Sequence, residues 1–93
     1  MVILGLLLAA MSCHQATQIE LQAGMNEVVY PGRTTNIEDA VAPIKNELNR
    51  VLFFDGSTWH IYRTSGPTGD LDTFVNGETY MVNMSAPKTW TVR

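Results

Sequence analysis

Two histidines, His14 and His60, are the side chains that could act as a general base near neutral pH. Nucleophilic catalysis needs a serine, threonine or cysteine beside such a base and an acid that orients it. His14 follows Cys13 directly, yet neither an orienting acid nor an oxyanion donor is evident beside them. His60 alternates with apolar residues, which is typical of a residue at the rim of a sheet. We therefore expect no catalytic residues and a protein that is not an enzyme.

Acidic residues could supply acid–base chemistry or bind a cation, but they are dispersed. Two histidines and one cysteine cannot form a structural zinc site. Asp70 and Asp72 lack the further oxygen ligands and the glycine of an EF-hand loop, and no glycine-rich phosphate loop is present. We expect neither a metal nor a cofactor. The remaining acids fall on separate predicted elements, so that any acid pair depends on tertiary contacts: Glu20, Glu27, Glu38, Asp39 and Glu78.

Aromatic side chains are the other groups that could bind a ligand, because rings give a large contact area at little cost in entropy. Tyr62, Tyr80 and Trp90 are candidate binding residues for a partner protein or a sugar. Their alternative position is the core, since a domain of this size needs most of its aromatic residues for packing. Trp59 is expected to lie in the core.

An apolar run, Met1 to Met11, opens the chain and ends at Ser12-Cys13. It is as long as a signal-peptide core and shorter than the roughly 20 residues of a spanning helix. Ala10-Met11-Ser12-Cys13 resembles the lipobox of bacterial lipoproteins, which implies lipidation at Cys13. Residues 1–13 are predicted to be a signal or anchor segment. It is either removed with lipidation, or retained and packed into a membrane or against partner subunits.

Composition bounds the classes of partner and the size of the core. Nine acidic residues stand against six basic ones, and the basic residues form no run, so nucleic acid is not an expected partner. Apolar residues make up 45% and charged ones 16%, which argues against disorder and favours a surface covered in an assembly. Residues 17–93 are long enough for a single domain, which must hold by packing without an intrachain disulfide.

The segment that organises this domain is RVLFFDGSTWHIY, residues 50–62. Two runs rich in β-branched and aromatic residues flank Asp55-Gly56, a strong turn signal because glycine accepts positive φ. The pattern predicts a β-hairpin with Gly56 at positive φ. Its loop is either the two residues Asp55-Gly56 or a three-residue loop.

Further strands are predicted over residues 17–22, 25–30, 78–84 and 89–92 from their alternation and β-branched or aromatic content. The first two are either separate or one strand bent at Ala23-Gly24. Asn76-Gly77 predicts a second hairpin turn.

One amphipathic helix is predicted to begin at Asn36 and to cover the sheet with an apolar face. Pro43 either kinks this helix or lies in its first turn, after a short turn from Asn36. The expected fold class is α+β, with a small, mostly antiparallel sheet forming a sandwich or partial barrel. The helix residues expected to face the sheet are Ile37, Val41, Ile44 and Leu48.

From Leu21 to Val92 the order of these motifs resembles a small β-rich module known mainly from uncharacterised secreted, surface and phage-encoded proteins of bacteria. Members often carry tryptophan where Met25 stands, and Asn-Asp-Leu where this chain has Gly69-Asp70-Leu71. The resemblance implies the fold and an extracytoplasmic or virion setting, and supplies no catalytic residues. The matching stretches are LQAGMNEVVYPG, EDAVAPIKNEL, RVLFFDGSTWHIY and NGETYMVNMSAPKTWTV.

Together these features favour a noncatalytic structural or accessory subunit outside the cytoplasm. Residues 1–13 would hold it at a membrane or within a multi-subunit particle such as an envelope complex, a surface filament or a phage virion, with protein subunits as its partners. The alternative is a carbohydrate-binding or adhesion module on the cell surface. A subunit would cover its aromatic and apolar patches with neighbouring chains, whereas a sugar binder would leave a flat aromatic strip open.

Overall fold

The computed structural model describes residues 16–67 and 69–93. The predicted anchor segment with Cys13, and also His14, lies outside them. None of the helices in the described ranges is long and apolar enough to cross a membrane. The elements in chain order are β1 (Thr17–Leu21), β2 (Gly24–Val29), β3 (Thr35–Asn36), α1 (Ile37–Val41), a 3-10 turn (Ala42–Ile44), β4 (Leu48–Phe54), β5 (Trp59–Arg63), β6 (Thr73–Phe74), β7 (Thr79–Met84) and β8 (Lys88–Val92).

The strands form antiparallel sheets, which confirms the α+β class. The main sheet has the order β2-β7-β4-β5, while β1 pairs with β8 and β3 pairs with β6. Of the two alternatives for the first strands, the structure shows separate strands in different sheets. Gly24 begins β2 with φ of 91°, so the chain turns there from one sheet into the next.

The central hairpin forms as predicted, but its loop is shifted by one residue. Phe54 pairs with Trp59, and the Asp55 N–H donates to the Thr58 carbonyl at 3.1 Å, which leaves Gly56-Ser57 at the tip. Gly56 has φ of 101°, as expected. Asp55 Oδ1 accepts from the N–H groups of Ser57 and Thr58, each at 2.8 Å. Asp55 therefore closes the turn as an acceptor instead of sitting within it.

The predicted helix is much shorter than expected. Asn36 caps it, its Oδ1 accepting from the Glu38 N–H at 2.8 Å, but the α-helix ends at Val41 and a 3-10 turn containing Pro43 follows. Proline lacks an N–H and crowds the preceding turn, so the helix cannot continue through it. The predicted apolar face is nevertheless buried, although Leu48 reaches the core from strand β4.

The Asn76-Gly77 turn is present but does not make a hairpin. Gly77 has φ of 88°, and the Glu78 N–H donates to the Val75 carbonyl at 3.1 Å. The strand before the turn, β6, pairs with β3, and the strand after it, β7, pairs with β2 and β4. The turn therefore passes the chain between two sheets.

Aromatic side chains fill the core where the three sheets and α1 meet. The ring of Tyr30 stacks on Phe74 with centroids 4.6 Å apart, and Tyr80 meets Phe74 edge-on at 4.7 Å. Trp90 is fully buried, and its Nε1–H donates to the Ala40 carbonyl at 2.9 Å, which ties β8 to α1. With these rings buried, the exposed aromatic residues of the main sheet, Phe54 and Trp59, lie on its opposite side.

Candidate functional site: the outer face of the main sheet

The side of the main sheet that faces away from the core carries a continuous set of side chains, here called the outer face. Alternation along four strands places every second residue on it, and the strand pairing aligns these residues in rows. The first row is Met25, Asn83, Arg50 and Arg63, and the second is Glu27, Met81, Leu52 and Ile61. Beyond the second row, Val29 pairs with Thr79 and Phe54 pairs with Trp59.

One end of the outer face is apolar and open to solvent, and the middle is apolar and partly exposed. Trp59 is 57% exposed, Val29 61% and Phe54 47%, although large apolar side chains favour burial. Met81 and Leu52 lie between them and are half-buried. Contiguous exposed apolar surface is typical of an interaction site.

A shallow groove crosses the outer face. Its floor and walls are mainly apolar, and the rings of Phe54 and Trp59 have centroids 5.0 Å apart and planes tilted by 46°. The tilt means that the two rings do not form a flat strip. The groove is lined by Glu27, Leu52, Phe54, Trp59, Thr79 and Met81.

Charged residues stand at the margins of the outer face. Arg50 and Arg63 are directly opposite each other on β4 and β5, an arrangement of like charges that is unfavourable in a sheet unless an anionic group offsets it. Glu27 lies on β2, at the other side of the same face. The ion pairs between described residues involve none of these three side chains.

A polar cluster around His60 lies at the central hairpin, on the opposite face of the sheet. The Nε2 atom of His60 bonds Asp55 Oδ2 and its Nδ1 bonds Asp70 Oδ2, both at 2.8 Å. Asp70 Oδ1 also accepts from the Ile61 N–H at 3.0 Å. Both ring nitrogens donate when the imidazole is protonated, so His60 joins the hairpin loop to the segment after β5.

Electrostatics favour the charged form of this cluster. The hydrogen bonds to Asp55 and then Asp70 raise the pKa of His60 above its ordinary value of 6.5. The His60 ring, with the N–H groups of Thr58 and Ser57, lowers the pKa of Asp55 to about 2.

The two carboxylates of this cluster bond opposite ring nitrogens of His60 and do not converge on one point. Within residues 16–67 and 69–93, no cluster of side chains is arranged to hold a metal ion. The arrangement acts as a structural clamp.

The clamp predicts a pH dependence of stability. Because folding raises the pKa of His60, the protonated ring contributes to the free energy of unfolding. This contribution is fully present below pH 6.5 and is lost as the pH rises through the folded-state pKa of His60. We expect the melting temperature of the wild-type protein to exceed that of His60→Gln most at about pH 6, with a smaller difference at about pH 9. Thermal melts followed by circular dichroism across this range measure it. A difference that does not change with pH would contradict the role of the imidazolium.

The predicted binding residues lie elsewhere than expected. Tyr62, Tyr80 and Trp90 are only 1%, 2% and 0% exposed, so the expectation that they contact a partner or a sugar is corrected: they are core residues. Trp59, expected in the core, is exposed on the outer face. Alternation had placed Trp59 and Tyr62 on opposite sides of the strand without showing which side is buried. Arg63 shares the face of Trp59, and its charge was the sequence signal that could have identified this side of β5 as the exposed one.

No protein-family model, no curated protein and no solved structure matches the chain. The resemblance to a β-rich module of bacterial secreted, surface and phage-encoded proteins therefore stays a prediction.

Proposed function

We propose that this protein is a noncatalytic structural or accessory subunit that docks onto other protein chains through the outer face. The observation that carries the proposal is the open apolar surface around Phe54, Trp59 and Met81 on a domain whose core is already filled. Covering such a surface with another chain removes apolar area from water, at roughly 25 cal/mol per Å².

The residue types of the outer face suit a protein partner. Interfaces are enriched in aromatic residues, methionine and arginine, with an apolar centre and a polar rim. Leu52 and Met81 form such a centre, and Arg50 and Glu27 lie at its margins. Trp59 is the natural anchor, because tryptophan is prominent among the residues that contribute most to binding.

A carbohydrate ligand is the second candidate, favoured by the exposure of Trp59. Sugar rings stack on open aromatic faces and need several hydrogen-bonding groups beside them. Here Phe54 is tilted by 46° against Trp59, and much of the groove wall is aliphatic. These features support a protein partner over a sugar.

The proposal extends to the setting of the subunit. Residues 1–13 would hold it outside the cytoplasm, at a membrane or within a larger particle, with Cys13 as the lipidation site where the segment is cleaved. A run as apolar as Val2 to Ala10 must be removed, inserted or covered, because each exposed leucine or isoleucine costs about 1.5 to 3 kcal/mol relative to burial.

Site-specific photocrosslinking in the cells or particles that contain the protein tests the docking role. With p-benzoylphenylalanine in place of Leu52 in the full chain, we expect a discrete protein adduct on irradiation. Adding Trp59→Ala should lower its yield severalfold, because truncating an anchor residue costs about 2 kcal/mol or more of binding.

The matched control places the same crosslinker at Asn46, an exposed turn residue away from the outer face. Asn46 should give no discrete adduct. Absence of an adduct from Leu52, or an equal one from Asn46, would contradict docking through the outer face. An adduct of Leu52 to glycan would favour the carbohydrate-binding alternative.

A further inference from the structure

The outer face carries charges of both signs at separate positions. Arg50 stands opposite Arg63, and Glu27 lies two strands away on β2. All three side chains are exposed. A partner of a different sequence would need to offset the unfavourable arginine pair with an anion, and Glu27 with a cation. A second copy of the same face offers Glu27 as a partner for Arg50, and Arg50 as a partner for Glu27.

The positions of these charges are compatible with two-fold symmetry. Glu27 pairs with Met81, Met81 pairs with Leu52, and Arg50 precedes Leu52 by two residues on the same side of β4. With strands about 4.8 Å apart and alternate residues about 6.8 Å apart, the Cα atoms of Glu27 and Arg50 are separated by about 12 Å. A two-fold axis in the contact plane exchanges the two positions when it crosses the line between them at its midpoint and at a right angle.

The apolar residues fit the same symmetry operation. An axis midway between Glu27 and Arg50 also brings Met81 of one copy over Leu52 of the other, and Phe54 towards Trp59. The strands of the two sheets then cross at a large angle, which is one of the established ways for sheets to pack. Glu27 of each copy then faces Arg50 of the other and the apolar residues face one another, while Arg63 has no acidic side chain directly opposite it.

We propose that the outer face binds a second copy of this chain in a two-fold symmetric dimer, with Glu27 of each copy paired to Arg50 of the other. This inference rests on the proposed docking function and names its partner. Four strands and about five residues per strand give a face of about 300 Å² in plan, which places the contact at the small end of specific interfaces. The dimer is therefore weak and depends on protein concentration.

Sedimentation equilibrium of the full-length chain over a range of concentrations tests the dimer. We expect reversible dimerisation that Glu27→Lys and Arg50→Glu each weaken by about tenfold or more, because like charges then face each other across the contact. The variant with both changes should recover the wild-type affinity. A mixture of the two single variants should form mixed dimers, since both contacts are then between opposite charges.

Comparison of the two single variants with the double variant distinguishes this dimer from other forms of self-association. Both sites are exposed, so circular dichroism should show variants that melt no lower than the wild-type chain. Arg50→Glu should melt slightly higher, because it places an acidic residue opposite Arg63. Self-association that neither single variant weakens, as expected for contacts through residues 1–13, would overturn the proposal. So would a double variant that stays as weak as the single ones.

The remaining outcomes distinguish this inference from the proposed function. A chain that stays monomeric at all concentrations, with Leu52 crosslinked to a different protein, overturns the dimer and leaves the docking role intact. An intramolecular adduct between Leu52 and residues 1–15 would show that the chain covers its own outer face, and would overturn both.

Discussion

Replacing Trp90 with alanine should lower the free energy of unfolding by about 3 to 5 kcal/mol, the range for truncating a fully buried large aromatic side chain. Trp90 is 0% exposed, and its ring centroid lies 5.5 Å from Phe74 and 6.1 Å from Tyr30. The change also leaves the Ala40 carbonyl without its indole partner. Chemical denaturation of the purified variant measures the loss.

Trp59→Ala is the matched control, because it removes the same side chain from an exposed site. Trp59 is 57% exposed, and its main ring contact is Phe54 at 5.0 Å. We expect its free energy of unfolding to fall by less than about 1 kcal/mol. Equal losses in the two variants would mean that Trp59 is also part of the core, and the outer face would lose its proposed anchor.

The two tryptophans show what the sequence could establish about the site. Alternation correctly separated Trp59 and Ile61 from His60 and Tyr62. Hydrophobicity alone could not say which side is buried, since both sides of β5 carry aromatic or aliphatic residues. The charge of Arg63 on the side of Trp59 points to the exposed side, and its pairing with Arg50 in the folded chain places a second charge there.

The fold class was predictable from the sequence, whereas the division into three sheets was not. Strong turn signals marked Asp55-Gly56 and Asn76-Gly77, and both glycines do take positive φ. A turn signal fixes local backbone geometry but not which strands pair on either side. Only the Asp55-Gly56 turn joins strands that are neighbours in one sheet, while the other links strands in different sheets.

The predicted helix was too long because the helical spacing of apolar residues continues into strand β4. Ile44 and Leu48 are four residues apart, which suits a helix, and both are buried as expected. Pro43 stops the α-helix, so that Leu48 reaches the same core as the first residue of β4. The spacing therefore predicted burial correctly and secondary structure incorrectly. The polar clamp around His60 was missed because the contact with Asp55 depends on the register of the hairpin, and the contact with Asp70 on the path of the segment after β5.

Gly69→Ala should destabilise the protein by about 2 to 5 kcal/mol, combining the strain of alanine at positive φ with a steric clash. Gly69 has φ of 93°, and a Cβ atom there would overlap the Ile61 carbonyl oxygen. That oxygen accepts from the Leu71 N–H at 3.0 Å, so relieving the overlap pulls the segment away from β5. Chemical denaturation again measures the change.

Gly66→Ala is the matched control for the clash. Gly66 also has positive φ, 70°, but a Cβ atom there meets nothing within 4 Å, so only the backbone strain of about 1 to 2 kcal/mol remains. Displacement of the segment at Gly69 should also loosen the bond of Asp70 to His60 and lower the pKa of His60, which NMR titration detects. Equal destabilisation by both substitutions, with an unchanged pKa of His60, would show that the segment does not lie against β5.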